Sequence, residues 1–499
     1  MELQFNKSVC NCLQKLVAQT QTQEQTQEIR LPDGMPDIGR VLGAWGQVLM
    51  RSKEWRGSGM GVSGGVMVWV LYMPEDGSGV RCVEGWIPYQ MKWEFPDPGR
   101  DGTIRAACML RGVDARSTSA RKLMVRAGIS VLGEAYVPGQ AELYTPGELP
   151  EDIQLLQRTY PMRLPAEAGE KPFALEEELT LPASCPELHK LLRYSLHPEL
   201  IDWKVMAGKV VFRGMAILHV LYACEDGSIH SWDFEIPFSQ FTELDTDYDQ
   251  EASVSIMPAV TNIELDVGEN GNLMLKAGLT GQYMVRDMRM VEIVEDAYSP
   301  HRAVQLQIEQ LELPVVLEEK SHTLRAEQTA DIAADRVADI AFYPDAPGIY
   351  RDPEGVNAEL GGVFQMLYYD PDGNLQGASP RWSDTMTLPA DPDSRVDMIL
   401  WSSGMPQASA NGTDTVLRAD MLGETVTTAQ QGMPMVTGLT LGEMVEPDPN
   451  RPSVIIRRAG EVTLWDMAKE SGSTVAQIEK ANRLQGEPES GQMLLIPIL

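Results

Sequence analysis

The sequence predicts a multidomain protein: repeated β-rich domains, mainly antiparallel with α+β accessory segments, followed by a small β-α-α-β domain. Three observations carry that expectation. The stretch Val70–Ser78, VLYMPEDGS, returns as VLYACEDGS at Val220–Ser228, with seven of nine residues alike. A fainter version, MLYYDPDGN, occupies Met366–Asn374. Residues 453–499 then change style, with a helical rather than an alternating apolar pattern.

The first two copies share further words in the same order. LPDGMPDI (Leu31–Ile38) matches LPASCPEL (Leu181–Leu188), and IPY (Ile87–Tyr89) matches IPF (Ile236–Phe238). KLMVRAGISV (Lys122–Val131) matches NLMLKAGLTG (Asn272–Gly281), with TVLRADMLGE (Thr415–Glu424) as the third counterpart. YTP (Tyr144–Pro146) and YSP (Tyr298–Pro300) open similar connecting segments. Matches kept in order along the chain mean duplication, with the third copy the most diverged.

Local chemistry makes the repeated phrase a strand and its turn. Val66, Val68, Val70 and Tyr72 fall on one face of an extended segment, and Met67, Trp69, Leu71 and Met73 on the other. Val211–Tyr222 is similarly rich in β-branched and aromatic residues. Asp76-Gly77, Asp226-Gly227 and Asp372-Gly373 suit a tight two-residue hairpin turn, because glycine takes a positive φ at no steric cost. The tract QTQEQTQE before Leu31 falls in the register of FALEEELT (Phe173–Thr180), which favours a first strand over a tail.

Glu151–Arg158 and Ala303–Leu313 have apolar residues at mixed spacings, so helical or mixed structure is expected between copies. The proline-rich EPDPNRP (Glu446–Pro452) marks a boundary. The expected organisation is an N-terminal segment (1–24), three β-rich domains (25–145, 146–300 and 301–446), a linker (447–452) and the terminal domain (453–499).

Composition bounds the function. The chain has 499 residues, long enough for several domains, and 72 acidic against 41 basic side chains give a net charge of −31. Such a surface repels phosphate backbones, which excludes nucleic acid as the expected ligand. The glutamine/threonine-rich start does not resemble an export signal, and the most apolar window, Gly65–Met73, is too short to span a membrane as a helix. Six scattered cysteines, with no CxxC pair, fit free thiols in a reducing compartment. A cytoplasmic protein with no membrane span is expected.

No nucleotide-binding loop, HExxH motif or complete calcium loop is present. GVSGG (Gly61–Gly65) formally satisfies GxSxG, but its glycines run into a strand, and Arg213 stands opposite Ser63 in the second copy. His219 has no histidine in register in either other copy, and the acidic run Glu243–Glu251 suits a solvated loop better than an ion site. No catalytic residue, metal ligand or cofactor is expected, and the chain is read as a non-enzyme.

In the terminal segment, a short strand (Val454–Arg457) reaches Gly460. Thr463 with Asp466 and Thr474 with Gln477 have the spacing of N-terminal helix caps. Leu464, Met467 and Ala468 form one apolar face, Val475, Ile478 and Ala481 another. Asn482 ends the second helix, and Met493–Ile498 forms a closing strand. The result is a minimal core for a free-standing domain.

The pattern Gly460, Thr463-Leu464-Trp465, Ala468-Lys469, Thr474-Val475, Ile478, Asn482, Leu484, Gly491-Gln492, Leu494, Ile496-Pro497 resembles a LysM domain. That resemblance implies ligand contact through two loops: Gly460, Glu461, Val462, Thr463 and Leu464, and Asn482, Arg483, Leu484, Gln485 and Gly486. LysM domains usually bind N-acetylglucosamine-containing glycans there. Here the first loop is one residue longer than the usual Gly-Asp-Thr-Leu-Trp, which alters the floor of the groove. Repeated domains carrying PDGMPDI, VLY…DG and IP[YF], followed by one LysM, resemble the SPOCS-domain (SipL-like) spore coat assembly proteins. The resemblance implies a scaffold in the mother-cell cytosol, at the forespore surface and spore coat. Its LysM domain would dock to a coat morphogenetic ATPase (SpoIVA-like), alongside other coat proteins. The alternative it leaves is a peptidoglycan- or glycan-binding protein acting through the same domain. The charge split is compatible with docking: residues 453–499 carry 5 basic and 6 acidic side chains, net −1, against −30 for the rest.

Overall fold

In a computed structural model, residues 2–444 and 451–498 are described, apart from Ala207, Gln250, Glu269, Glu354, Pro392, Glu461, Gln485 and Glu487. Residues 447–450 of the expected linker therefore lie outside the described residues. The first repeat comprises β1 (Glu2–Gln4), β2 (Asn6–Arg30), β3 (Ile38–Trp55), β4 (Gly59–Pro74), β5 (Arg81–Glu94), β6 (Thr103–Ser119) and β7 (Lys122–Thr145). The second comprises β8 (Gln154–Leu179), β9 (Lys190–Met206), β10 (Lys209–Ala223), β11 (Ile229–Glu243), β12 (Ser253–Val267) and β13 (Leu273–Tyr298). The third comprises β14 (Arg302–Ala330), β15 (Arg336–Pro344), β16 (Gly348–Asp352), β17 (Gly355–Tyr369), β18 (Leu375–Ala378), β19 (Arg381–Leu388), β20 (Arg395–Ala410) and β21 (Thr415–Met444). Last come β22 (Val454–Arg458), α1 (Leu464–Ser471), α2 (Val475–Asn482) and β23 (Met493–Pro497).

One plan recurs, all antiparallel. A meander forms one sheet (β3-β4-β5, β9-β10-β11), while the first and last strands pair and the last also takes its predecessor (β2-β7-β6, β8-β13-β12). The third repeat follows the plan with β14-β21-β20 opposite a sheet centred on β17. Residues 6–24 are continuous with 25–30 in β2, so QTQEQTQE is strand, paired from Gln21↔Val131 to Glu28↔Met124. β1 crosses over to pair with β21 of the third repeat, Leu3 opposite Leu439.

The helical or mixed character expected between copies is replaced by strand. Residues 154–158 begin β8, and 303–313 lie in β14. Val304 and Leu306 point inward, then a register shift at Gln307/Ile308 reverses the parity, so that Leu311 and Leu313 point inward next. The extra residue of that bulge, Thr437, lies in the partner strand β21, and the change of inward face along β14 imitates helical spacing.

The repeated phrase is the central meander strand, apolar on both faces because both are buried. Val66, Val68, Val70 and Tyr72 face the core of their own repeat. Their neighbours face other repeats: Trp69 enters the core of repeat 2, and Leu71, Leu221 and Leu367 meet in one shared cluster. The tyrosines close a clasp. The Tyr72 hydroxyl donates to the Pro36 carbonyl (2.9 Å), and the Tyr222 hydroxyl donates to the Pro186 carbonyl (3.2 Å). VLY and the upstream proline word are thus two halves of one contact. The following turn differs from the two-residue form expected. Gly227 N–H donates to Cys224 O and Cys224 N–H to Ser228 O, enclosing three residues with Gly227 at φ 83°. Asp370, Gly373 and Asn374 repeat the geometry. The aspartate earns its place by accepting a backbone N–H two residues on, Asp226 from Ser228 at 2.9 Å and Asp76 from Ser78 at 2.9 Å. Ser63 sits in mid-strand between Ser52 and Gln90, so GVSGG forms no nucleophile elbow.

The repeats join head to tail in a closed ring. Each meander carries a bulge at the same place, with Leu42, Leu192 and Ala338 extruded into the shared cluster. Gly43, Arg193 and Asp339 are consequently equivalent, opposite Leu71, Leu221 and Leu367. Trp69, His219 and Gln365 form a second equivalent set. Trp69 packs edge-on against Tyr194 at 5.0 Å, His219 Nε2 meets Asp339 Oδ1 at 2.9 Å, and a Cβ on Gly43 would stand 2.8 Å from the Gln365 amide. Each repeat therefore presses the same position into the next, and the third returns to the first. Arg193 Nε donates to Asp339 Oδ2 at 2.6 Å, fully buried, with the guanidinium over the Trp45 ring.

Candidate docking site on the C-terminal unit

β22 and β23 pair antiparallel, Ile456 opposite Leu495, with α1 and α2 on one face. Both expected caps form: the Thr463 hydroxyl accepts the Asp466 N–H at 3.1 Å, and the Thr474 hydroxyl accepts the Gln477 N–H at 3.2 Å. Arg451 donates to the Ser471 carbonyl at 2.9 Å, placing a cation at the C-terminal end of α1. Ala459, Leu464, Met467, Ala468, Ile478, Leu494 and Ile496 form the core.

That core is not self-contained, contrary to the free-standing domain expected. Tyr298, at the end of β13, belongs to the same cluster. Its ring meets Trp465 edge-on at 4.7 Å, and its hydroxyl donates to the Ser473 carbonyl at 3.0 Å. Two residues earlier, Asp296 accepts the Trp465 indole N–H (2.7 Å) and the Lys469 ammonium (2.7 Å). Burial, and then the Asp296 carboxylate, push the Tyr298 hydroxyl up to about 12, so it stays a neutral donor. A minimal core on its own buries too little apolar surface, and the second repeat supplies the missing wall.

The ten expected loop residues divide by role. Thr463 is a cap, and Leu464 and Leu484 pack in or against the core. Asn482 holds β23: its amide donates to Leu495 O (2.6 Å) and accepts from Leu495 N (2.8 Å). Gly460 adopts φ 127° beside Ser490, and Arg483 closes α2 with φ 56°. Val462 is exposed, as is Gly486. Glu461 and Gln485 lie outside the described residues. Both loops flank α1 and α2, so the fold brings the described members together on one unit. Asp296 and Tyr298 were missed, although YSP repeats YTP. In the first copy the same pair, Glu142 and Tyr144, bond to each other instead (3.1 Å).

The other candidate groups are engaged in contacts within the repeats. His219 lies between Asp233 (2.6 Å) and Asp339 (2.9 Å). Glu167 accepts from Asp245 N–H and the Tyr248 hydroxyl, which ties down the acidic run. Among the described residues no group of three His, Cys, Asp or Glu side chains could hold a metal ion. All six cysteines are free. No helix among the described residues is long and apolar enough to cross a membrane.

A family model described as SipL, SPOCS domain matches residues 187–267. The match runs from the proline word of repeat 2 through its meander into β12. No curated protein and no solved structure matches the chain. The chain thus carries a SPOCS-type segment within one of three like repeats, and a C-terminal β-α-α-β unit consistent with a LysM-like fold. These features are consistent with a scaffold protein of the SipL/SPOCS kind.

Proposed function

We propose that this chain is a non-enzymatic scaffold of endospore coat assembly, acting in the mother-cell cytosol at the forespore surface. Its LysM-like unit docks to a coat morphogenetic ATPase of the SpoIVA kind, with the exposed parts of the two loops, Val462, Arg483 and Gly486, nearest the partner. The proposed domains are the three repeats, 25–145 with residues 6–24 continuing its first strand β2, 146–300 and 301–446. The observation that carries this reading is the SPOCS match inside one of three like repeats, on a chain that ends in a LysM-like unit. The near-neutral charge of that unit on an acidic chain supports contact there rather than through the repeats.

The test uses the full chain, immobilised and offered the purified coat ATPase with and without excess N-acetylglucosamine oligosaccharide. Retention that the sugar leaves unchanged, and that Val462→Asp with Arg483→Glu abolishes, is the expected result. No retention overturns it, and full competition by the sugar overturns it in favour of glycan as the ligand.

A further inference from the structure

Equivalent segments of the three repeats converge on one axis, and a cavity of ≈ 170 Å³ lies on it. Its walls are 46–48, 196–198 and 342–344 from the meanders, and 108–110, 258–260 and 400–402 from the opposite sheets, with Met50 beside them. Strand registers make these segments counterparts: Cys108, Pro258 and Leu400 stand opposite Val131, Gly281 and Gly423, which are equivalent in the three copies. Among the described residues no Asp, Glu, Lys or Arg lines the space.

Gln47, His197 and Tyr343 occupy one equivalent position, and two of them bridge to a neighbouring repeat. Gln47 Oε1 accepts the Leu196 N–H at 3.0 Å, and the Tyr343 hydroxyl oxygen accepts the Gly46 N–H at 3.0 Å. The third bridge would run from His197 towards Phe342. Instead His197 turns back to its own strand, with Nε2 3.2 Å from Ser195 Oγ, and among the described residues Nδ1 has no hydrogen-bond partner. Burial first, then the charges of His219 and Arg193, lower its pKa to about 4, so the imidazole is neutral at pH 7. The cavity is the space that the missing bridge leaves.

We propose that this axial cavity binds a small neutral aromatic alcohol, its ring among Met109, Trp401 and Phe342 and its hydroxyl on His197. Size sets the scale: an apolar cavity of about 150 Å³ holds benzene. Charge is disfavoured because none of the described wall residues carries an opposite charge, and an isolated ion in such a site is costly. A hydroxyl suits either imidazole tautomer, since it both donates and accepts. Methionine and aromatic walls favour a ring over an aliphatic chain. The site exists only where all three repeats meet, so occupancy would tighten the ring by mass action.

The test is titration calorimetry of the full chain with phenol and with benzene. Saturable one-to-one binding of phenol is expected, about tenfold tighter than benzene because of the added hydrogen bond. His197→Leu should bring phenol down to the affinity of benzene. Ala259→Leu fills the cavity and should abolish both while leaving the circular dichroism unchanged. Absence of saturable binding, or binding undiminished in Ala259→Leu, overturns the proposal. Should that variant not fold, crystals of the wild-type chain soaked in 4-bromophenol decide the matter: bromine on the axis supports the site, and bromine elsewhere only overturns it.

Discussion

The Asp296 carboxylate accepts the indole N–H of Trp465 at 2.7 Å, joining the last strand of the second repeat to the first helix of the C-terminal unit across 169 residues of sequence. Lys469 shares the same carboxylate but is substantially exposed, so the indole bond is the stronger part of the latch. Asp296→Ala should loosen the unit by about 1–2 kcal/mol, since a hydrogen bond to a charged acceptor is lost. Hydrogen exchange at the amides of α1 should speed up about tenfold, while the amides of β4 and β10 stay unchanged. Equal loss of protection everywhere would mean that the contact is no separate latch.

The two tyrosine clasps should be energetically alike. Tyr72→Phe and Tyr222→Phe each remove one hydroxyl bonded to a proline carbonyl, and each should cost about 1 kcal/mol in denaturant unfolding. Tyr368→Phe should cost less, because among the described residues the Tyr368 hydroxyl has no hydrogen-bond partner.

The junction of repeats 2 and 3 should respond to pH in two directions. Burial opposes ionisation of Asp339, but the charges of Arg193 and His219 outweigh it and hold the carboxyl well below its usual range. Burial and Arg193 oppose the charge on His219, yet Asp339 and the bonds to Asp233 and Asp339 raise its pKa above the ordinary value. A depressed acid stabilises above its unfolded pKa of about 4, and a raised histidine stabilises below its unfolded pKa of about 6.5. The melting temperature should therefore be highest near pH 4.5–6.5, from those same reference values. It should fall as pH rises through the folded pKa of His219. His219→Gln should remove the alkaline decline and leave the acid one.

Removing one partner of the buried pair is a harsher test. Asp339→Ala leaves Arg193 charged and enclosed, and should cost about 3–5 kcal/mol. Unfolding midpoints of the single variants and of Arg193→Met/Asp339→Leu measure it. The double variant should recover most of the loss, because replacing both charges by apolar groups removes the stranded ion.

Arg483 takes the left-handed conformation that glycine adopts without strain. Arg483→Gly should stabilise the C-terminal unit by about 0.5–1 kcal/mol, read from exchange at its amides.

Local features were legible in the sequence, and distant ones were not. Thr463 and Thr474 announced two helix starts because a cap and its helix are neighbours in the chain. The VLY strand and its Asp-Gly turn were legible for the same reason, although the loop holds three residues rather than two. Ala303–Leu313 misled because a single bulge shifts the alternation. Tyr298 and Asp296 could not be found from periodicity, since their partners lie in another unit. Comparing YTP with YSP would have pointed to the right strand end without naming what it touches. The loop residues Thr463, Leu464, Asn482 and Leu484 follow the LysM pattern closely, yet each does structural work here, which leaves less surface for a ligand than the pattern suggests.

The pairing of β1 with β21 has a consequence for how the chain is made. Leu3 meets Leu439 only after the 436 residues from one to the other have been synthesised. At about 5–20 residues per second that separation takes about 20–90 s. Trp69 gains its cover in repeat 2 early in that interval, whereas Leu3 and the contacts of repeat 1 with Tyr343 and Gln365 wait for repeat 3. Ring closure is thus a late event in biosynthesis, reached only when the last strand of the third repeat is made.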